Sequence, residues 1–75
     1  MNAEEWVQRG DELLEELRYP EAEEAYRHAI AIDPQNARAW NGLGLTTRNQ
    51  GNFAEAEDAY QRLTDIDPQD ARAWT

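Results

Sequence analysis

An internal repeat of 34 residues constrains the fold of this chain more than any other feature of its sequence. The stretch DPQNARAW at residues 33–40 returns as DPQDARAW at residues 67–74, with one letter changed. Under the same shift, Trp6 aligns with Trp40 and Trp40 aligns with Trp74. The other matching pairs include Gly10 with Gly44, Ala22 with Ala56, Ala25 with Ala59, Tyr26 with Tyr60, Ile32 with Ile66, Pro34 with Pro68 and Ala37 with Ala71. A fixed period of this length predicts stacked supersecondary units, none of which buries its apolar face alone.

Each repeat has the pattern of two helices joined by a short turn. Asn2, followed by Glu5 three residues later, predicts an N-cap with a capping box. Small or apolar residues then recur at helical spacing, at positions 6, 10, 13, 14 and 17. Pro20 disfavours helix before it and suits the first turn of a second helix. Asp33-Pro34 ends that second helix, and Asn36 is placed to cap the next one.

The sequence therefore predicts an all-α fold, a solenoid of antiparallel helical hairpins with about four helices in one domain over residues 1–75. Repeat 1 covers residues 3–36, repeat 2 covers residues 37–70, and residues 71–75 begin a third. The second helix of repeat 1 is expected to bury Ala22, Ala25, Tyr26, Ala29 and Ile30. Repeat 2 is expected to bury Trp40, Leu43, Gly44, Thr47, Ala56, Ala59, Tyr60 and Leu63.

The turn inside each repeat differs between the two copies. Gly51 suits the left-handed residue just past a helix end, and Asn52 with Glu55 predicts another N-cap. Leu17 stands where the second repeat has Gly51. Because a left-handed conformation costs a residue with a side chain roughly 1–2 kcal/mol, we expect the first turn to be shaped mainly by Pro20.

The charge and composition narrow the range of functions. Sixteen acidic residues against seven arginines give a net charge of −9, and the chain has no lysine and no cysteine. A negative field of this size repels a phosphate backbone, so we expect no nucleic-acid partner. No apolar run is long enough for a bilayer, and the first residues lack the basic start of a signal peptide. We therefore expect a soluble, cytoplasmic protein with no membrane partner.

Residues able to support catalysis are scattered. His28 is the only histidine, and its neighbours on the predicted helix make it an ordinary surface or boundary residue. Glu12 and Glu16 lie four apart on a solvated face, without the water-excluding pocket that general acid–base catalysis uses. The glutamates between residues 15 and 24 lack the loop of a calcium site. We therefore expect no enzyme activity, no metal and no cofactor.

The repeated residues resemble the tetratricopeptide repeat family, a 34-residue helix–turn–helix with Trp, Leu-Gly, Tyr, then Ala, Phe and Pro at set positions. Repeat 2 matches at Trp40, Leu43, Gly44, Ala56, Tyr60 and Pro68, with Thr47 in place of the first tyrosine. Repeat 1 matches at Trp6, Gly10, Ala22, Tyr26 and Pro34, with Arg9 and Leu13 in place of the leucine and the tyrosine. The resemblance implies a right-handed superhelix whose first helices line a concave groove for a peptide or protein segment.

By that resemblance, the groove residues would be Val7, Asp11, Leu14, Arg38, Asn41, Leu45, Arg48 and Asn49. Similar proteins that bind acidic chain ends use a clamp whose positions here are Val7, Asp11, Gly42 and Arg72. Only Arg72 suits a carboxylate. The groove is instead acidic in repeat 1 and rich in arginine and asparagine in repeat 2. This arrangement favours an extended segment with basic residues toward repeat 1.

The stop at Thr75 suggests a second function. Repeat arrays usually need about three units and a polar end cap, so we expect the last helix, residues 54–66, to leave its outward apolar edge uncovered. Either the chain is a piece of a longer array, or it is a minimal or engineered unit. In the second case its main interaction would be self-association at high concentration, as a dimer with or without swapped helices. The residues expected to mediate it are Trp74, Leu63 and Ile66.

Overall fold

Four helices make up the part of the chain, residues 1–66, that this computed structural model describes. They are α1 (Ala3–Glu15), α2 (Tyr19–Ile32), α3 (Ala37–Asn49) and α4 (Phe53–Ile66). Each helix packs on the next in the chain, and α1 also contacts α3. Since short turns join the packed neighbours, α1 with α2 and α3 with α4 form two helical hairpins. The predicted all-α fold of antiparallel hairpins is confirmed.

The predicted caps set where the helices begin. The Asn2 side chain accepts a hydrogen bond from the Glu5 amide at 2.9 Å, and the Asn2 amide donates to the Glu5 carboxylate at 3.0 Å. This reciprocal pair is the capping box expected from the sequence. Asn36 likewise accepts from the Ala39 amide at 3.2 Å, and Pro20 lies in the first turn of α2.

The turn between α1 and α2 differs from the expectation. Leu17 has a φ of +62°, the left-handed conformation that Gly51 adopts with a φ of +82° in the second turn. The turns also share a hydrogen bond back to the preceding helix, from the Arg18 amide to the Leu13 carbonyl at 2.9 Å and from the Asn52 amide to the Thr47 carbonyl at 2.8 Å. The helix end therefore dictates the backbone at Leu17, and the prediction that Pro20 shapes this turn is wrong.

Tyr26 lies at the centre of the fold, fully buried between α1 and α3. A Cβ added to Gly10 of α1 would lie 2.7 Å from the Cε1 atom of its ring. A Cβ added to Gly42 of α3 would lie 2.8 Å from Cδ1 and closer still to Cε1 and Cζ. The ring thus occupies space that the two glycines leave free, and it contacts both hairpins.

The remaining core follows the repeat closely. Gly44 lies against Tyr60 within the second hairpin as Gly10 lies against Tyr26 in the first. Both glycines thus lie where the two helices of a hairpin approach closely. The buried apolar residues are Ala3, Val7, Leu13, Ala22, Ala25, Tyr26, Ala29, Ala39, Leu43, Ala56, Ala59, Tyr60 and Leu63, with Trp6, Leu14, Ile30 and Trp40 packed against them.

Candidate functional site

A network of charged side chains lies where α1 meets α3. Arg38 of α3 donates to Asp11 at 3.1 Å and to Glu4 at 3.3 Å, both on α1. The Asn36 side chain also donates to Glu4, at 3.0 Å. The Tyr26 hydroxyl donates to the second oxygen of Asp11 at 2.5 Å. Asp11 therefore accepts hydrogen bonds from both α2 and α3, and the network links the two repeats along their shared surface.

Burial and the Asp11 carboxylate both raise the pKa of the Tyr26 hydroxyl far above its ordinary value, and the nearby Arg38 opposes them only weakly. The phenol consequently keeps its proton and stays a donor to Asp11 over the whole physiological range. This bond places the carboxylate at the surface between α1 and α3, where its other oxygen accepts from Arg38.

An open depression of about 440 Å³ lies over this network, lined by Gln8, Asp11, Glu12 and Arg38. Its walls are acidic on the α1 side and basic on the α3 side. The Arg38 ion pairs involve side chains that are each about half exposed or more, so each pair is worth at most about 1 kcal/mol. An incoming charged group can therefore displace Arg38 at little cost.

The structure places the predicted groove residues in different environments. Asp11 and Arg38 are in contact, as described above. Leu14, Asn41 and Leu45 are half-buried, and Arg48 and Asn49 are exposed. Val7, in contrast, is completely buried, because it shares an inward face of α1 with Ala3 and belongs to the core. Its assignment to a ligand-facing surface is wrong.

The clamp predicted by family resemblance is also altered. A side chain on Gly42 would meet the Tyr26 ring, so it would enter the core instead of reaching a ligand. Val7 is also buried in the core, so it does not face a ligand. Arg72, the one clamp residue suited to a carboxylate, and Trp74 lie outside the described residues.

A second depression, of about 400 Å³, opens on the outer side of α4. It is lined by Arg48, Phe53, Ala56, Glu57, Tyr60, Gln61 and Thr64. Phe53 is 67% exposed. The lining is largely apolar, so it is a surface on which another apolar group can pack.

This surface differs from the one predicted for self-association. Leu63 is only 1% exposed and packs inward with Ala56 and Tyr60, so its assignment to an uncovered outer edge is wrong. Ile66 is half-buried and lines a smaller depression beside Trp40 and Arg62. Sequence reasoning missed exposed Phe53 as part of this surface. It also missed that buried Tyr60 lies beneath the depression, although this could have been found by asking which helix covers Tyr26 in the first repeat.

His28, the histidine considered for catalysis, packs against another ring. His28 stacks on the Trp6 ring, with ring centroids 4.4 Å apart and an angle of 21° between the planes. Within residues 1–66, no group of three or more histidine, cysteine or acidic residues is arranged to hold a metal ion. None of the helices in the same range has the length and apolar character needed to cross a membrane.

Comparison with known proteins gives one clear match. The family model described as tetratricopeptide repeat aligns with residues 7–71, which is most of the chain. No curated protein matches the sequence. The matched range includes most of α1, all of α2, α3 and α4, and the Tyr26 contact between the hairpins, while Glu4 of the charged network precedes it.

Proposed function

Because the chain belongs to the tetratricopeptide repeat family, we propose that it is a binding module that holds a protein segment on the surface shared by α1 and α3. Members of this family generally mediate protein–protein interactions, and their repeats are typically non-catalytic scaffold modules. For this chain we propose, in addition, which surface binds and which kind of segment it holds.

The observation that carries the proposal is the charged network over the depression between α1 and α3. Arg38 is held by two carboxylates, Asp11 and Glu4, through exposed and therefore weak ion pairs. A lysine or arginine of a bound segment can take the place of Arg38 at Asp11. The depression can therefore bind a cation, and no buried charge is left unpaired when it is empty.

The surface beyond this site suits an extended segment. Half-buried Leu14 and Leu45 offer apolar contacts, and Asn41 and Asn49 offer amides that can bond to a peptide backbone. The acidic residues lie on α1 and the amides on α3. We therefore expect basic residues of the segment to lie toward α1, with small polar or apolar residues over α3.

The test is a titration with a fluorescent extended peptide that carries two lysines, against a peptide of the same composition in scrambled order. Glu12→Gln and Asn41→Ala are expected to weaken binding severalfold, since both side chains lie on the proposed surface. Glu24→Gln is the matched control, because Glu24 is an exposed acid on α2. Equal losses for Glu12→Gln and Glu24→Gln would reduce the effect to net charge and contradict the proposal.

Self-association remains a second candidate because the outer side of α4 is apolar and open. Two copies could cover this surface by packing α4 against α4 about a two-fold axis. Sedimentation velocity over a wide concentration range tests the idea. A strict monomer at the highest concentration would exclude self-association as the main interaction.

A further inference from the structure

Asn41 and Gly42 of α3 form an Asn-Gly pair, the sequence in which an asparagine side chain loses its amide group most readily. The reaction requires the backbone nitrogen of the next residue to reach the side-chain carbonyl carbon. Glycine favours this step because it has no side chain in the way and its backbone turns freely. The other asparagines are followed by alanine, glutamine or phenylalanine. Asn41 is therefore the asparagine most open to this chemistry.

The fold itself requires the glycine that follows Asn41. A Cβ at position 42 would lie 2.8 Å from Cδ1 of the Tyr26 ring and closer to two other ring atoms. The contact between the hairpins thus leaves no space for a side chain at this position. The corresponding pair in repeat 1 is Val7-Gln8, which lacks this chemistry. The reactive pair consequently lies inside the contact that makes its glycine necessary.

Folded α3 holds the same pair in a form that does not react. Gly42 is buried inside this helix, where each amide N–H donates to the carbonyl four residues earlier. Its nitrogen is therefore not free to give up a proton to a base in solution. The Thr46 hydroxyl donates to the Gly42 carbonyl at 2.7 Å and holds the other side of the same residue. Ring closure would turn the Asn41–Gly42 peptide out of its helical orientation, so α3 must open before the reaction can occur.

We propose that Asn41 is a site of spontaneous modification that reacts when the two hairpins separate. In opened α3 the Gly42 amide gives its proton to hydroxide, and its nitrogen bonds to the side-chain carbonyl carbon of Asn41. The bond from that carbon to the side-chain nitrogen breaks, and the nitrogen takes up a proton and leaves as ammonia. Water then opens the resulting succinimide at either carbonyl, which leaves aspartate or isoaspartate at position 41.

Isoaspartate at position 41 keeps the stack from forming again. In this product the main chain runs through the former side chain, so one extra carbon separates residues 41 and 42 along the backbone. Ala39 before this point and Thr46 after it are both completely buried. Helix α3 cannot keep both in the core and also hold Gly42 against Tyr26. Separation of the hairpins thus becomes permanent in those molecules that react.

The experiment compares the rate of amide loss in the full chain with the rate in a peptide of residues 36–50, which contains Asn36, Asn41 and Asn49. The peptide is the unprotected reference, because an isolated helix of this length is marginal. Both are kept at mildly alkaline pH, and peptide mapping by mass spectrometry follows each asparagine. We expect Asn41 to react well before the other two in the peptide.

In the folded full chain, Asn41 should react at least about tenfold more slowly than in the peptide. A domain of this size has roughly hundreds of folded molecules for each unfolded one, and so slow a reaction follows the population of the open form. Local opening of α3 reduces this protection. In enough guanidinium chloride to unfold the chain, Asn41 should react about as fast as in the peptide.

Two variants change or preserve the opening of α3 without altering the reactive pair. Asn36→Ala removes the cap of α3, whose side chain accepts from the Ala39 amide, and should speed the reaction severalfold. Asn49→Ala is the matched control, because Asn49 is an exposed asparagine of the same helix, and the rate should stay the same. Equal acceleration by both variants would contradict the link to the opening of α3.

The effect on the stack is measured on the isoaspartate form, separated by chromatography. Its reference is Asn41→Asp, which adds the same negative charge without the extra carbon. We expect circular dichroism to show a large loss of helix in the isoaspartate form and little loss in Asn41→Asp. Equal rates in the folded chain and the peptide, or no reaction in the unfolded chain, would overturn the proposed site. An isoaspartate form as helical as Asn41→Asp would overturn its effect on the stack.

Discussion

Replacing Gly42 by alanine tests how tightly Tyr26 joins the two hairpins. The new methyl group would lie 2.8 Å from Cδ1 of the ring, whereas carbon atoms prefer separations of about 3.5–4.0 Å. The ring is fully buried and has Gly10 on its other side, so it cannot move away freely. Alanine at position 42 must therefore push α3 from α2 or displace the ring.

The magnitude follows from three contributions. Overpacking a core of this kind costs about 1–3 kcal/mol. Displacing the ring also weakens the hydrogen bond from Tyr26 to the Asp11 carboxylate, a type of bond worth about 1.5–3 kcal/mol. Removing a glycine from a helix interior returns about 1 kcal/mol. We expect a net loss of roughly 2–4 kcal/mol in the free energy of unfolding.

The measurement is urea unfolding followed by circular dichroism. Since a domain of this size has only about 3–5 kcal/mol to lose, wild type and variant are compared in an osmolyte such as trimethylamine oxide, which strengthens burial. Asn49→Ala is the matched control because Asn49 is an exposed residue of the same helix, and it should change little. A Gly42→Ala protein as stable as the wild type would refute the reasoning.

Three further predictions concern the caps, the first turn and alkaline pH. Asn2→Ala removes the capping box and is expected to lower the free energy of unfolding by about 1 kcal/mol; no change in urea unfolding would contradict it. Leu17→Gly removes the strain of a left-handed conformation, which costs a leucine about 1–2 kcal/mol. The glycine also gives the unfolded chain more conformational freedom, which lowers stability by about 0.4–1 kcal/mol. The thermal midpoint should therefore stay level or rise, and a clear fall would contradict the observed turn. Burial raises the pKa of Tyr26 and Tyr60 above the ordinary value of 10.0. Their contribution to stability is complete below pH 10 and is lost as the pH rises further. Helix loss should therefore accompany tyrosinate absorbance above pH 10, and stability should fall less steeply with pH in Tyr26→Phe, which has one such group fewer.

The sequence predicts well those features that depend on local signals. The capping box at Asn2, the cap at Asn36 and the left-handed Gly51 each need only residues a few positions away. The 34-residue period adds the pairing of helices within a hairpin, and so the contacts of Gly10 and Gly44 with the two tyrosines. The fold follows from these signals together.

Contacts between the two repeats are predicted less well, because the residues that make them differ between the two copies. Gly42 has Gln8 as its counterpart in repeat 1. A comparison of the two copies therefore gives no sign that Gly42 contacts Tyr26. Val7 has Asn41 as its counterpart, and the family pattern placed both on the groove. Burial of Val7 depends on the core formed by α1, α2 and α3, which no local pattern contains.

The candidate binding surfaces show the same limit. The sequence indicates an acidic α1 and an α3 with arginine and asparagine, but not that Arg38 already bridges Glu4 and Asp11. Such a pairing depends on how two helices from different repeats are aligned. Leu63 is expected both to be buried in repeat 2 and to mediate self-association, and only its packing beside α3 decides for burial.

Tyr26 is the central contact between the two repeats, because its ring packs against a glycine of each hairpin. Nuclear Overhauser contacts from the Tyr26 ring protons test it directly in solution. We expect contacts of similar strength to the α-protons of Gly10 and Gly42. Contacts to Gly10 alone would mean that the hairpins do not stack through this ring, and the assignment of both binding surfaces would fall with it.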